Sequence, residues 1–483
     1  MSNIRVRIAP SPTGPLHIGT ARTALFNYLF ARHLGGKFII RIEDTDLLRS
    51  DPKFEKNILE GLEWLGIEAD ESPIVGGPDA PYRQTERIES YAHYLKKLLA
   101  EGKVFYCFHT EAELEEEKRE LLETKHSPIH LCEYRTMDIK EAETLAEINS
   151  NYVIRFKTPA GRIIAFNDLI RGELSFQSDL LGDFSVAKKI DVPLYHFAVV
   201  VDDEAMDITH VIRGEDHIAN TPKHILLIEA LGFCIPQYAH LPLVLGTDRS
   251  KLSKRHGATS IDEYREQGYL PEALFNFLAL LGWNPGDNRE ILSKEELIRE
   301  FSIEKIQKAG AVFDFVKLDW MNGEYIRKKT SDELTRIALP FIETLLSGKQ
   351  FSLDYITKVI ALEQPRLKKL SELLEKIDYF FEEPQYDVSL LLWKKMTAEN
   401  AVAALDVAKK LLEQNKEKPI TAMKEIFLQK GKEMGDKGSL LWPLRVALSG
   451  KKASPDPFEI MEILGIEKAA RRIEYAKKIA VLS

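Results

Sequence analysis

The chain reads as a multidomain α/β protein: a parallel sheet flanked by helices, an α+β module inserted into it, and an all-helical C-terminal half. Three observations predict this. Strand and helix patterns alternate through the first hundred residues, which implies a parallel sheet. Between about residues 88 and 194 charged helices and hairpin-like turns replace that alternation, and after about Thr330 strand patterns cease. The 483 residues also exceed the size at which one hydrophobic core keeps growing, so roughly two to five domains are expected.

Arg5–Ala9 alternates as a short strand, and Pro10-Ser11-Pro12-Thr13-Gly14-Pro15 supplies turn formers before a helical period over Ile18–His33. Lys37–Ile42 is β-branched and apolar, a second strand. Asp51 and Pro52 make a cap and first-turn pair, and Phe54, Ile58, Leu62 and Leu65 share one stripe of the helix that follows. Within the insertion, Glu111–Glu123 and Ile139–Ile148 read as charged helices and Tyr152–Phe156 as a strand. Phe197–Val201 is expected to be the strand that resumes the parallel core, ending at Asp202 and Asp203. His210–Arg213 is the next, running into Gly214-Glu215-Asp216. Ligands of open α/β sheets sit beyond the carboxyl ends of strands, so both acidic segments are site candidates. The C-terminal helices break near 382–384 and 454–457, and there is neither an internal repeat nor a low-complexity segment.

Composition is that of a globular protein, with 44% hydrophobic and 29% charged residues. Met1-Ser2-Asn3-Ile4-Arg5 has no apolar secretory stretch, and no uninterrupted run approaches the ~20 residues of a membrane span, so a cytoplasmic protein is expected. Cys107, Cys132 and Cys234 are too few to staple a chain this long, in keeping with a reducing compartment; Cys234, in an apolar stretch before Pro236, reads as core. The net charge of -9 weighs against a nucleic-acid partner, but its distribution does not. From Leu391 onward 18 Lys and Arg face 12 Asp and Glu, a balance of +6, which leaves -15 for the remainder. A basic helical tail suits RNA, although a solvated surface carries the same excess.

Two units carry chemistry. In the first, Pro10 to Thr20, a strand-to-helix turn holds His17 and Gly19. Glycine at a helix start removes the Cβ that would block a nucleotide, and the free N–H groups there attract phosphate. The second is Lys251-Leu252-Ser253-Lys254-Arg255, between Gly246 and Gly257. Its three cations can meet a triphosphate and its leaving group, with glycines permitting movement. Alone, the first is an ordinary helix start and the second a basic surface loop.

In this order, with the sheet resuming between them, the two units resemble the ATP-binding motifs of class I aminoacyl-tRNA synthetases. Arg7–Gly14, Arg41-Ile42-Glu43-Asp44-Thr45-Asp46, Tyr82–Arg87, Val211–Asp216 and Leu318–Ile326 more narrowly resemble the bacterial glutamyl-tRNA synthetase family. Thr20 stands where many class I enzymes have a second His, as it does in glutamyl enzymes. The resemblance implies a class I Rossmann-type catalytic domain over 1–87 and 195–246, an inserted module over 88–194 for the tRNA acceptor end, and a stem-contact region over 247–328 carrying the Lys251–Arg255 loop. A helical domain over 329–384 and a helical anticodon-binding domain over 385–483 would follow; Trp393 and Trp442 could stack bases there, although their apolar runs read as core.

By the same resemblance, the chain activates L-glutamate with ATP and Mg²⁺ and transfers it to tRNA(Glu), acting as a monomer. His17, Lys251 and Lys254 would stabilise the phosphates in flight, and Gly19, Thr20, His217, Ser253 and Arg255 would complete the ATP site. Arg7, Arg213 and Tyr195 would grip the side-chain carboxylate, Glu43 the α-ammonium, and Ser11 a carboxylate or amine. Guanidinium forks match carboxylates and offer no acceptor to the amide of glutamine. Cys107-Phe108-His109 followed by Cys132-Glu133-Tyr134 resembles the zinc hairpin of some family members; Cys107, His109, Cys132 and Tyr134 are its ligand set, with His130 or His126 as alternatives to Tyr134.

Other readings are a glutaminyl-tRNA synthetase, which would carry a β-barrel tail, and a shortened relative, which would lack the C-terminal helices. A non-discriminating enzyme also charging tRNA(Gln), and a catalytically silent tRNA-binding paralogue, complete the set.

Overall fold

The computed structural model describes residues 4–125 and 127–481; His126, an alternative zinc ligand, lies outside them. The chain divides into two compact units, one running to Arg265 and including Pro271–Phe315, the other made of Glu266–Leu270 and the chain from Val316.

The first unit is built on a six-stranded sheet: β1 (Arg5–Ile8), β2 (Lys37–Ile40), β3 (Ile163–Asp168), β4 (Gly172–Gln177), β5 (His210–Gly214) and β6 (Gln237–Leu241), in the order β2-β1-β5-β6-β3-β4. All neighbours are parallel except β3 and β4. Val6 pairs with Phe38 and Ala239 with Ile212, so the hydrophobic stretches of these strands are buried together. Helices α1 (Ile18–His33), α2 (Pro52–Trp64), α3 (Tyr195–Ala205) and α4 (Thr221–Leu231) accompany the sheet. Asp51 caps α2, its side chain accepting from Lys53 N, with Pro52 in the first turn.

Three expectations are corrected here. Phe197–Val201 is not a strand but part of α3. A short β-branched run has no period that separates a central strand from a buried helix. Phe197–Asp202 are all buried, and a helix hydrophobic on every side is a core helix. Secondly, β3 and β4 fall inside the 88–194 insertion but join the central sheet through the pairing of Asp168 with Tyr238. Hairpin alternation does not indicate which sheet a hairpin extends. The rest of the insertion has its own antiparallel sheet of Val104–Cys107, Val153–Phe156, Ser185–Lys189 and Val192–Pro193. Its two charged helices span Glu111–Glu123 and Ile139–Ile148, as expected. Cys234 is exposed, not core, because α4 has already ended at the left-handed Gly232 (φ 77°).

The second unit is helical. Thr330, Thr397 and Asp456 open three of its helices with reciprocal caps to Glu333, Asn400 and Glu459. Arg472, 2% exposed, donates to the carbonyls of Tyr379, Glu382 and Leu448, so one guanidinium from the helix Ile466–Val481 joins the carboxyl ends of two others, Leu373–Phe381 and Lys437–Ser449. Trp393 and Trp442 pack on each other with ring centroids 5.0 Å apart, each half-buried.

Candidate active site

The carboxyl end of β1 leads into a pinned loop. Pro10 O accepts from Glu43 N (3.0 Å), Pro12 O from Asp51 N (3.0 Å), and Leu16 N donates to Asn57 Oδ1 (2.8 Å). His17 caps α1 with Nδ1, which accepts from Gly19 N at 3.1 Å. Ile18 N donates to Thr259 O and Ile261 N to Leu16 O, both at 2.9 Å. The residues just after the Lys251–Arg255 loop are thereby stitched to the His17 unit.

Beyond the ends of β1 and β5 lies a cavity of about 370 Å³. Arg7, Ser11, His17, Gly19, Thr20, Glu43, Tyr195, Arg213, His217 and Lys251 all line it, which brings ten of the residues singled out in the sequence into one wall. Ser253, Lys254 and Arg255 do not line it. Their segment folds on itself: Arg255 pairs with Asp248 (3.2 Å) and Ser250 Oγ (2.5 Å), and Ser253 Oγ meets His256 Nδ1 (3.2 Å). A Cβ on Gly246 would stand 2.7 Å from the His256 ring, so glycine is needed for that fold. Gly19 differs: a Cβ there would meet only His17 Nδ1, at an ordinary 3.6 Å.

One side of the cavity is dense with paired charge. Arg7 is chelated by Asp203 through Nε (3.0 Å) and Nη2 (3.1 Å). Fully buried Arg41 reaches Asp203 (2.7 Å), Glu43 (3.1 Å) and Asp202 (3.6 Å). Asp202 also accepts from Gln84 (2.8 Å), Arg87 (2.7 Å) and Tyr91 (2.9 Å). Burial raises the Asp203 carboxyl, but Arg7 and Arg41 more than reverse this and hold it below the usual range. For Glu43 burial wins over Arg41 and Arg7, and its carboxyl sits above the usual range.

The other side is polar but neutral. Arg213 donates to His240 Nε2 (3.2 Å), His224 Nδ1 (3.2 Å), Thr221 Oγ1 (2.8 Å) and, more weakly, His217 O (3.4 Å). No carboxylate among the described residues forms an ion pair with it. Burial lowers its guanidinium below the ordinary value. Burial, reinforced by Arg213, also holds His224 far below the ordinary imidazole range and His217 at about 4. Tyr195 donates to or accepts from His217 Nδ1 at 3.1 Å, and burial beside Glu43 pushes its phenol up to about 12. His17 is likewise lowered, first by burial and then by Lys251, so the cation of the second unit is felt at the imidazole of the first.

Arg41, Thr221, His224, His240 and Asp168 are parts of this site that sequence reasoning missed. One signal existed: His240 lies amid the apolar residues of β6, and a histidine buried in a strand requires hydrogen-bond partners. Asp202 and Asp203, read as the end of a strand, act from α3 as acceptors beneath the arginines.

In the insertion, Cys107, His109, His130 and Cys132 bring their ligand atoms within 4.8 Å of one another. Cys107 Sγ is 3.6 Å from His109 Nδ1 and 3.7 Å from His130 Nε2. His130 Nδ1 is backed by Glu117, the arrangement that orients metal-binding imidazoles. His130, one of the alternatives to Tyr134, is thus the residue grouped with Cys107, His109 and Cys132. Tyr134 packs its ring edge-on against His109 (5.2 Å).

Residues 3–320 match the family of tRNA synthetases class I (E and Q), catalytic domain, and residues 333–477 match an anticodon binding domain. With a Rossmann-like parallel sheet and a match to that catalytic family over most of its length, the chain is a class I aminoacyl-tRNA synthetase. It is 48% identical to the glutamate–tRNA ligase of Carboxydothermus hydrogenoformans over 97% of this chain and 99% of that one, and 44% identical to glutamate–tRNA ligase 1 of Caldicellulosiruptor saccharolyticus over 98% and 99%. The crystal structure of a glutamate tRNA ligase from Elizabethkingia meningosepticum, in complex with its amino acid, superposes with a TM-score of 0.87 at 37% identity, covering 99% of each chain. The chain belongs to the glutamate–tRNA ligase family.

Proposed function

We propose that this chain activates L-glutamate with ATP and Mg²⁺ and transfers the glutamyl group to the terminal adenosine of tRNA(Glu), with the cavity between β1 and β5 as its active site. Family membership supports the reaction, and one observation supports the substrate: Arg213, buried and facing the cavity, has only neutral partners. Such a group binds a carboxylate in paired, charge-assisted hydrogen bonds. Arg7, neutralised by Asp203, and the Tyr195 hydroxyl shape the same end of the pocket. Glu43, its carboxyl raised by burial, gains from an ammonium, which places the α-amine there with Ser11 nearby.

In the first step the α-carboxylate attacks the α-phosphorus, and pyrophosphate leaves. His17 and Lys251 stabilise the charge on the phosphates from two sides, while Lys254, Ser253 and Arg255 reach the nucleotide when their loop opens. Gly19, Thr20 and His217 line the nucleotide's place, and the lack of any protein atom crowding Gly19 fits a ligand as the reason for glycine there. The chemistry is positioning and electrostatics. A ribose hydroxyl of the tRNA then attacks the anhydride.

The insertion over 88–194 holds the acceptor end, residues 247–328 follow the stem, and the basic helical end reads the anticodon as part of a monomer acting in the cytoplasm. No helix among the described residues is long and apolar enough to cross a membrane. Cys107, His109, His130 and Cys132 fit Zn²⁺, which would fix the strand and loop of the insertion as a structural centre. Metal analysis of protein purified without chelator is expected to give one zinc per chain, lost in Cys132→Ser.

The deciding experiment is aminoacylation with labelled glutamate, glutamine and aspartate on separate tRNA(Glu) and tRNA(Gln). Glutamate on tRNA(Glu) is the expected product; charging with glutamine and not glutamate overturns the assignment. Glutamate on both tRNAs identifies a non-discriminating enzyme. Pyrophosphate exchange that needs tRNA supports activation coupled to tRNA binding.

A further inference from the structure

Arg213 dictates the state of the imidazoles around it. Arginine carries only donors, so His240 Nε2 and His224 Nδ1, each 3.2 Å from a guanidinium nitrogen, must present lone pairs. The proton of His240 is then on Nδ1, and 2.6 Å away stands Oδ2 of Asp168. Asp168 is 1% exposed and ends β3, the strand from the insertion that joins the central sheet. Its Oδ1 accepts from Ile170 N (2.9 Å) and Arg171 N (2.8 Å), and Oδ2 also accepts from His240 N (3.1 Å). Both oxygens act purely as acceptors, which a carboxylate provides and an amide does not.

This chain reconciles two opposing requirements. An isolated charge in a protein interior is costly, which favours an acid near Arg213. An acid in direct contact would occupy the N–H groups that a ligand carboxylate needs. Placing the acid one imidazole away connects Arg213 to Asp168 by hydrogen bonds; His240, His224, Thr221 and the long contact to His217 O take four of the five guanidinium N–H groups, all with neutral acceptors that an anion can displace, and Arg213 lines the cavity.

We propose that Asp168 is a positioning residue for substrate selection: by holding His240 as the Nδ1–H tautomer it aims Arg213 into the cavity and keeps the guanidinium free to bind an acidic side chain. The inference rests on the reading of Arg213 as the partner of the glutamate side chain.

The test compares full-length wild type with Asp168→Asn in aminoacylation, measuring KM for glutamate, KM for ATP and the preference for glutamate over glutamine. However the amide turns, its NH₂ faces either the Ile170 and Arg171 N–H groups or His240. The expected result is a KM for glutamate raised about 10- to 100-fold, a KM for ATP within about twofold, and a preference for glutamate reduced by a similar factor. A wild type that fails to charge tRNA with glutamate counts against the functional reading itself. A wild type that charges while Asp168→Asn leaves KM for glutamate unchanged, or raises both KM values together, overturns the proposal alone. A second measurement needs no variant: ¹⁵N NMR of the histidine-labelled wild-type protein is expected to show His240 protonated on Nδ1 and bare on Nε2. The opposite tautomer overturns the proposal.

Discussion

Arg7 and Arg213 lie near the ends of adjacent strands, are 4% and 6% exposed, and line the same cavity, yet their surroundings are opposite. On the β1 side three guanidiniums, Arg7, Arg41 and Arg87, face three carboxylates, Glu43, Asp202 and Asp203. On the β5 side Arg213 meets two imidazoles and a hydroxyl. Residue type alone does not separate an arginine whose charge is already met from one still open to an anion. The charge state of its partners does, because a neutralised fork has little left to gain from an anion, whereas an unneutralised buried one gains a great deal.

Asp203→Asn attacks the balanced side and should have the largest effect. Asp203 joins Arg7 and Arg41, and removing its charge leaves two guanidiniums without their shared counter-charge. Loss of a buried partner of this kind costs roughly 3 to 5 kcal/mol of stability. Because the folded-state carboxyl lies below its ordinary value of 3.8, its contribution is fully present above that pH and disappears as the pH falls through the lower folded value. Denaturant unfolding of wild type and variant should therefore differ most near neutrality and converge below pH 3.8. A difference that persists unchanged into acid would show that the Asp203 charge is not what holds this side together.

Arg213→Met attacks the neutral side. It should lower kcat/KM for glutamate roughly 10²- to 10³-fold, because a desolvated charged contact with the substrate is lost. Its loss of stability should be smaller than that of Asp203→Asn, since its direct partners are neutral and the Asp168 carboxylate keeps the N–H donors of His240, Ile170 and Arg171. Aminoacylation and unfolding on the two variants give a crossed pattern: Asp203→Asn mainly unstable, Arg213→Met mainly inactive. Equal losses on both axes would erase the distinction between the two arginines.

What the sequence disclosed follows the same division. The turn at Pro10–Thr20 and the strand ends at Glu43 and Arg213 were legible because they are local: a strand, its turn and a helix start occupy consecutive positions. Asp168 and His240 are 72 residues apart and meet only because β3 docks beside β6, which no local pattern encodes. Phe197–Val201 misled because burial on all sides erases periodicity. His130 was legible as an alternative ligand, but that its ring stands between Cys107 and Glu117 depends on how the insertion folds.

The smallest effect is the sharpest probe of the neutral side. Thr221→Val keeps volume and removes one hydroxyl, 2.8 Å from Arg213 Nη2 and 3.1 Å from His240 Nε2, while the bonds of Arg213 to His240 and His224 stay. A hydrogen bond to a charged group contributes about 1.5 to 3 kcal/mol, but the freed N–H can turn toward a bound carboxylate and recover part of this. A rise of about 3- to 10-fold in KM for glutamate, with KM for ATP unmoved, is therefore expected. On the opposing side nothing should change, because Thr221 touches none of Arg7, Arg41 or Asp203 in the hydrogen bonds that hold them. Were glutamate to bind more tightly to Thr221→Val than to wild type, the hydroxyl would be a competitor of the substrate, and the neutral acceptors would restrain Arg213 instead of presenting it.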